Sequence, residues 1–535
     1  MTPGHGYHDL REHIEALDRA GLLVRVAREI DKNTEMHPLV RWQFRGGLTE
    51  EQRRAFLFER VVDSRGQGYP GAVLVGGLAA STHVYAVGMG CRPEELADRW
   101  EHAFSHLIEP VLVEAGPVHE EVHLGPDLEA LGLDEFPIPI STPGFDNAPY
   151  TTCSHWITKD PETGIRNVGN YRGHVKARTR LGIYPMAGQH VYLHWQKAKA
   201  RGAPLEAALV VGSPPVVSYA TVQKIPYGVD ELAVAGGLAG EPIQVVRCKT
   251  VALEVPADAE IVIEGRINTE WLEPEGPFGE SHGYMHPRML NPFCEITAIT
   301  HRKAPIWVSF ISQVTPSESS VIKKVGYDVL FLKHLREHCH IKSVLRVVMH
   351  EPLTNLRKFI VLQMRKPSET EVWRALHSAA TFHPGVGKIL VAVDEDIDPE
   401  DVTMVLWALS YRMRPHRDVH IITGMEKGHA PPFVYTGDTY DEVKGEGAAD
   451  DSAMLINAIL KEPFPPVSLP RRDFMEHARK IWEELGLPAL RPESPWHGYS
   501  LGQWDEELEQ EAELALKGEH YRTGEKLAKR RVRVR

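Results

Sequence analysis

Apolar positions fall into three regimes along this chain. The opening segment DLREHIEALDRAG puts Leu10, Ile14 and Leu17 on one helical face, begins at Asp9 with Glu12 three residues on, and stops at Gly21. A helix is predicted there, with a strand at LLVRV after it. Residues 25–125 continue as short mixed α and β elements, and the proline-rich EFPIPISTPGFDNAP (135–149) reads as an extended connector. Between about 150 and 315 short β-branched runs dominate: ALVVG, PPVVSYATV, PIQVVRC, TVALEVP, AEIVIEG, FCEITAIT and PIWVSFIS, separated by Gly, Pro and charged turns. One helical stretch, LHWQKAKARG, interrupts them. That density of strands predicts a barrel or a sandwich. From Ser317 the period lengthens, SESSVIKKVGYDVLFLKHLREH reading as a helix. Strands at IKSVLRVVMHE, FIVLQMR, KILVAVDED and DVHIITG then alternate with helices, as in an α/β sheet domain. After about residue 466 the pattern is helical, clearest in HARKIWEELGLP.

A chain of 535 residues exceeds one core and suggests about two to four domains, with 42% apolar residues to fill them. No run approaches the roughly 18 apolar residues of a membrane span, and MTPGHGYHDLREHIEAL lacks the charged-then-apolar order of a secretion signal. Cys91, Cys153, Cys248, Cys294 and Cys339 are widely spaced and odd in number, which indicates neither a disulfide framework nor a cysteine zinc site. The expectation is a soluble, cytoplasmic protein that binds neither membrane nor nucleic acid. Its formal charge of −13 opposes phosphate-backbone binding, and the terminal KLAKRRVRVR reads as a solvated tail.

Against this background EPEGPFGESHGYMHP (273–287) stands out. Pro fixes φ and Gly permits unusual φ/ψ, so a Gly-Pro-Phe-Gly bend should hold Glu273, Glu275 and Glu280 on a rigid loop between two strands. Among 73 acidic residues such a cluster is ordinarily a solvated loop, so its meaning depends on partners. NVGNYRGHV (167–175) and AGQHVYLH (187–194) read as strand-turn-strand, a hairpin carrying Asn167, Arg172 and His190. With Glu231 from GVDELAVAGG, Asn167 and His190 form a mixed oxygen and nitrogen donor set that suits Mg²⁺ or Mn²⁺ and leaves positions free for a phosphate. Arg172 can pair with one glutamate and keep it ionised while a second, less paired one stays protonated more readily, the arrangement proton transfer needs. His334-Leu335-Arg336-Glu337-His338 also fits the H-x-x-E-H pattern of zinc peptidases, but with 28 histidines a pattern of three fixed positions arises by chance. None of this identifies a reaction.

NVGNYR, AGQH, DELAVAGGLAGEP and EGPFGESHGY, in this order and at these separations, together resemble the UbiD-like decarboxylases, which use prenylated FMN. The resemblance spans roughly residues 7 to 490. It implies that Asn167, His190 and Glu231 bind Mn²⁺ or Mg²⁺, with K⁺ as a further ion, and that Gln189 and His190 contact the cofactor alongside Arg172. Arg172, Glu275 and Glu280 become the catalytic residues. The implied fold is α/β (α+β): N-terminal α/β elements (1–125), a split-barrel flavin domain (126–316), a linker helix (317–340), a C-terminal α/β oligomerisation domain (341–480) and a helical charged tail (481–535). The implied reaction is reversible, non-oxidative decarboxylation of an unsaturated, aromatic or heteroaromatic acid, releasing CO₂, with Glu280 as proton donor. A flavin prenyltransferase would supply the cofactor, and the assembly would be a homodimer or homohexamer. The continuation Ser281-His282-Gly283-Tyr284 is closer to members acting on acrylic acids than to those acting on hydroxybenzoates. An FMN-dependent oxidoreductase and a non-catalytic carboxylase subunit are the competing readings. One departure stands: many members carry Gly-Ser-Lys toward the C-terminus, where DDSAMLINAILKEPFPP places Ala453, leaving Lys461 as a candidate substitute.

Overall fold

A computed structural model describes residues 6–186, 188–354, 358–383, 386–425 and 451–533. Ala187 of the AGQH stretch, Asp450, and Val534 and Arg535 of the basic tail lie outside the described residues. The first helix, Leu10–Arg19, starts where the sequence predicts: the Asp9 carboxylate accepts from the Glu12 amide at 2.8 Å, while Glu12 reaches back to the His8 amide at 3.0 Å. It buries Leu10, Ile14 and Leu17. Strands Leu23–Asp31, Ala55–Val62 and Ala72–Val75 form a sheet whose fourth member, Ile306–Ser309, arrives from far along the chain and runs parallel to the third. The N-terminal unit is thereby fastened to the end of the next one.

That next unit is a nine-stranded sheet. Its path runs Tyr150–Thr151, Gly173–Ala177, Arg180–Ile183, Phe293–His301, Ile261–Ile267, Leu205–Val211, His155–Lys159 and Arg166–Asn170, with Glu121–His123 added on Phe293–His301. Strands Arg166–Asn170 and Gly173–Ala177 lie near opposite ends of this path, yet only Tyr171 and Arg172 separate them in sequence. The three Cα–Cα steps from Asn170 to Gly173 reach at most about 11 Å, so the sheet must curl until its ends meet at Arg172. The hairpin expected at NVGNYRGHV is therefore wrong: Asn167 pairs across to Thr158, and Gly173 to Thr151. Ser154 holds this crossing, its amide donating to Asn170 Oδ1 at 2.9 Å and its hydroxyl to the Tyr171 carbonyl at 2.8 Å. His190 opens a helix, His190–Ala200, rather than a second strand.

PPVVSYATV is also helical, Pro215–Thr221, with proline at the first helical position where its missing N–H costs nothing. All seven residues are buried, so the continuous apolar run looked like a strand. Beyond the barrel, Ser317 caps the helix Glu318–Lys333, which ends in a turn at His334–His338. A five-stranded sheet follows in the order Val344–Met349, Phe359–Met364, Ile389–Asp394, Asp451–Ala458, Val419–Met425, flanked by helices Glu369–Thr381 and Val402–Tyr411. The HLREH side chains do not form a metal site: His334 and His338 stack at 6.0 Å, but His334 Nε2 faces Cys339 Sγ at 3.3 Å, its ring also stacks on Phe382 at 4.0 Å, and Glu337 turns to Lys333. Among the described residues no helix is long and apolar enough to cross a membrane.

Candidate active site

Residues 268–292 are an excursion between the paired barrel strands Ile261–Ile267 and Phe293–His301. Within it Glu273–Glu275 pairs with Met289–Asn291, and Phe278–Gly279 with Met285–His286, so the acids sit on nested hairpins rather than on a free loop. Gly276 takes φ +99° at the bend, and a Cβ there would lie 3.0 Å from the Pro287 carbonyl oxygen, so only glycine fits without strain. Asp146, from the proline-rich connector, pins the structure by accepting from the Thr142 amide at 2.6 Å and the Gly279 amide at 3.3 Å. Burial raises its carboxyl to about 6 despite those bonds.

Both acids converge on Arg172, at the point where the barrel closes. Glu275 is fully buried and accepts from Arg172 Nε at 2.9 Å and Nη2 at 2.7 Å, a bidentate pair, with Asn291 Nδ2 at 3.3 Å as a third donor. Arg172 Nη1 donates to Glu280 Oε1. Arg172 is 8% exposed and its guanidinium lies between aromatic rings, 4.3 Å from the Tyr184 centroid and 4.9 Å from that of Phe278. Burial alone would push Glu275 up, but the Arg172 charge and hydrogen bonds outweigh it and hold the carboxyl below its usual range. Glu280 differs in access: 17% of its side chain meets solvent. Sequence reasoning missed Tyr184, His286 and Asn291; the Tyr184 hydroxyl lies 3.3 Å from His286 Nε2, and no spacing rule signals either.

The second group forms around the strand Arg166–Asn170. Glu231 is the first residue of the buried helix Glu231–Ala239, behind its cap Asp230, and accepts from the Val168 amide at 2.9 Å. His190 Nδ1 stands 4.0 Å from Glu231 Oε1, and its ring meets Tyr227 edge-on at 5.0 Å. Burial lifts Glu231 to about 8 against the Val168 amide hydrogen bond and the nearby charge of Arg166, whose guanidinium is itself bonded to Asp230 at 2.7 Å and Glu254 at 2.9 Å. Asn167 is buried on the same strand and its Nδ2 has no hydrogen-bond partner. A buried carboxylate, an imidazole nitrogen 4.0 Å from it and a buried amide whose carbonyl oxygen can ligate make an oxygen and nitrogen donor set suited to a divalent ion, so these residues fit a metal. Gln189 precedes the helix, its Oε1 taken by the Met186 amide at 2.8 Å. Lys224 also acts here: after burial, its charge is the next influence lowering His190.

Neither Ala453, at the position expected to carry the lysine, nor Lys461, the candidate substitute, belongs to either group. Ala453 lies within a strand in the apolar core of the C-terminal sheet, 1% exposed. Lys461 is committed to that same unit, donating to the carbonyls of Asn457 at 2.7 Å and Arg412 at 2.9 Å and pairing with Asp418 at 3.1 Å.

In sequence, residues 14–104, 111–314 and 321–444 match in succession the N-terminal, Rift-related and C-terminal domains of 3-octaprenyl-4-hydroxybenzoate carboxy-lyase, UbiD. In structure the chain is similar to an evolved dimeric form of the UbiD-class enzyme HmfF from Pelotomaculum thermopropionicum in complex with prFMN. The TM-score is 0.74 at 30% identity, covering 89% of this chain and 100% of that one. Phenolic acid decarboxylase of Bacillus subtilis is 29% identical over 428 residues, 78% of this chain and 87% of the other. Pyrrole-2-carboxylic acid decarboxylase of Pseudomonas aeruginosa is 26% identical over 475 residues, 85% and 92% of the two chains. With three family domains in order and a 30% identical relative covered end to end, this chain belongs to the UbiD family of carboxy-lyases.

Proposed function

We propose that this chain removes CO₂ from an aromatic or heteroaromatic carboxylic acid using prenylated FMN, with Arg172, Glu275 and Glu280 as its acid–base machinery. The convergence of both glutamates on one buried guanidinium supports this reading most directly. Asn167, His190 and Glu231 would hold Mn²⁺ or Mg²⁺, neutralising the cofactor phosphate, with Lys224 supplying the cation that Ala453 does not. When bound, prenylated FMN supplies an electrophilic centre that takes up the electron pair released as the carbon–carboxylate bond breaks.

The two glutamates divide the proton work by access and pairing. Glu275 stays ionised: it is fully buried, and two Arg172 N–H groups and Asn291 occupy its oxygens. Its role is to fix the guanidinium, which in turn orients Glu280 and presents positive charge to the substrate carboxylate. Glu280 is the donor to the carbon that CO₂ leaves, and its partial exposure lets it recover the proton from water.

The test is Glu280→Gln in protein loaded with prenylated FMN, assayed by substrate consumption and CO₂ release over a panel of phenolic, furan, pyrrole and cinnamate-like acids. Loss of a general acid costs about 10²–10⁴-fold, so turnover should fall by that factor while the flavin spectrum is unchanged. A variant within twofold of wild type would reject the assignment.

A further inference from the structure

Away from Arg172, where the connector meets the outer edge of the barrel, His123, Glu135 and His301 form the one group of three or more His, Cys, Asp and Glu side chains among the described residues whose donor atoms gather closely enough for a metal ion. They come from three separate segments. His123 ends the strand Glu121–His123, His301 ends the strand Phe293–His301 that pairs with it, and Glu135 closes the turn Gly132–Glu135. His123 Nε2 and His301 Nε2 are 2.9 Å apart. The Glu135 carboxylate straddles them, Oε2 lying 3.6 Å from His123 Nε2 and Oε1 3.6 Å from His301 Nε2. Donors 2.0–2.1 Å from a tetrahedral Zn²⁺ stand about 3.3 Å from one another; the two imidazole nitrogens lie within a few tenths of an ångström of that value, and Glu135 brings a different oxygen to 3.6 Å from each of them, so either oxygen is at hand as the third donor.

The surroundings prepare the ligands. His301 Nδ1 lies 2.8 Å from the Arg302 carbonyl oxygen, to which an Nδ1–H donates. That bond leaves the Nε2 lone pair directed at His123 and Glu135, the orienting contact that metal-bound histidines usually have. His301 is buried and Phe136 packs edge-on against its ring at 5.4 Å, while the two imidazoles are nearly parallel, 6° apart. All three residues line a cavity of about 230 Å³ that also includes Glu121, Lys303 and Pro305, so a fourth coordination position has room for water. Two imidazoles and one carboxylate favour Zn²⁺, Co²⁺ or Ni²⁺ over Mg²⁺ and Ca²⁺.

We propose that His123, Glu135 and His301 form a second, transition-metal site of the Zn²⁺ class with water as fourth ligand, which clasps the Glu121–His123 strand and the connector to the barrel. It is independent of the Asn167, His190 and Glu231 group.

The test is calorimetric titration of the full-length, flavin-loaded protein with Zn²⁺ in excess Mn²⁺, together with metal content by mass spectrometry. Wild type should take up one Zn²⁺ per chain and unfold at a higher temperature with it. His123→Gln and, separately, the gentler Glu135→Gln should each weaken that uptake at least tenfold, while His190→Gln keeps it; circular dichroism and a cooperative thermal transition verify that each variant is folded. The proposal is overturned if wild type takes up no Zn²⁺, if the equivalent persists in folded His123→Gln or Glu135→Gln, or if it disappears in His190→Gln instead.

Discussion

Replacing Glu275 by Gln removes one charge from a buried, bidentate pair while nearly conserving volume. In the wild type the carboxylate is fully buried and accepts from Arg172 Nε and Nη2 and from Asn291 Nδ2. Glutamine retains one accepting oxygen, and its NH₂ group faces an Arg172 N–H with no lone pair to offer. Breaking a buried ion pair on one side costs about 3–5 kcal/mol; Glu280 still touches Arg172 and offsets part of it. A net loss of about 3 kcal/mol is expected, roughly 6–12 °C in Tm for a unit of barrel size. The pH dependence follows from the lowered carboxyl. A depressed folded-state pKa contributes its full stabilisation above the unfolded value near 4.5 and loses it as pH falls from there through the folded value. The gap in Tm between wild type and Glu275→Gln, followed by differential scanning fluorimetry, should therefore be flat from pH 8 to about 5.5 and close below about 4.5. A gap that closes between pH 7 and 6 would show that burial, not Arg172, governs Glu275. Equal Tm values at pH 7 would refute the pairing itself.

Gly276→Ala forces a Cβ into positive φ against the Pro287 carbonyl, at a strain of about 1–3 kcal/mol in the turn between the two acids; turnover should fall at least tenfold with flavin content intact, and unchanged turnover would remove the need for a rigid bend. Ala453→Lys puts an ammonium into an apolar core, so expression as soluble protein should collapse or Tm drop by more than about 5 °C, whereas a stable variant with tighter flavin binding would mean position 453 does serve the cofactor. Lys224→Met should weaken flavin retention by about tenfold on dialysis, the worth of one phosphate contact of about 1.4 kcal/mol, and undiminished retention would exclude it from the phosphate site.

What the sequence made legible is local, and what it hid is topological. Caps and periods located the helices at Leu10 and Glu318 because Asp9 and Ser317 act within one turn of chain. The hairpin reading at NVGNYRGHV failed because adjacency in sequence says nothing about which strand pairs with which. In the folded chain Tyr171 and Arg172 cross between the two ends of a curled sheet. That same crossing is what makes the site. A hairpin turn would have left Arg172 in water, where an ion pair contributes little. At the seam of the barrel it lies between Tyr184 and Phe278, and its charge decides the protonation of a glutamate 103 residues away. Sequence motifs can name Glu275 and Glu280, but only closure of the sheet explains why one is locked as an anion while the other keeps contact with water. The contrast in burial and pairing between two chemically identical side chains is therefore a property of strand order, which neither composition nor spacing encodes.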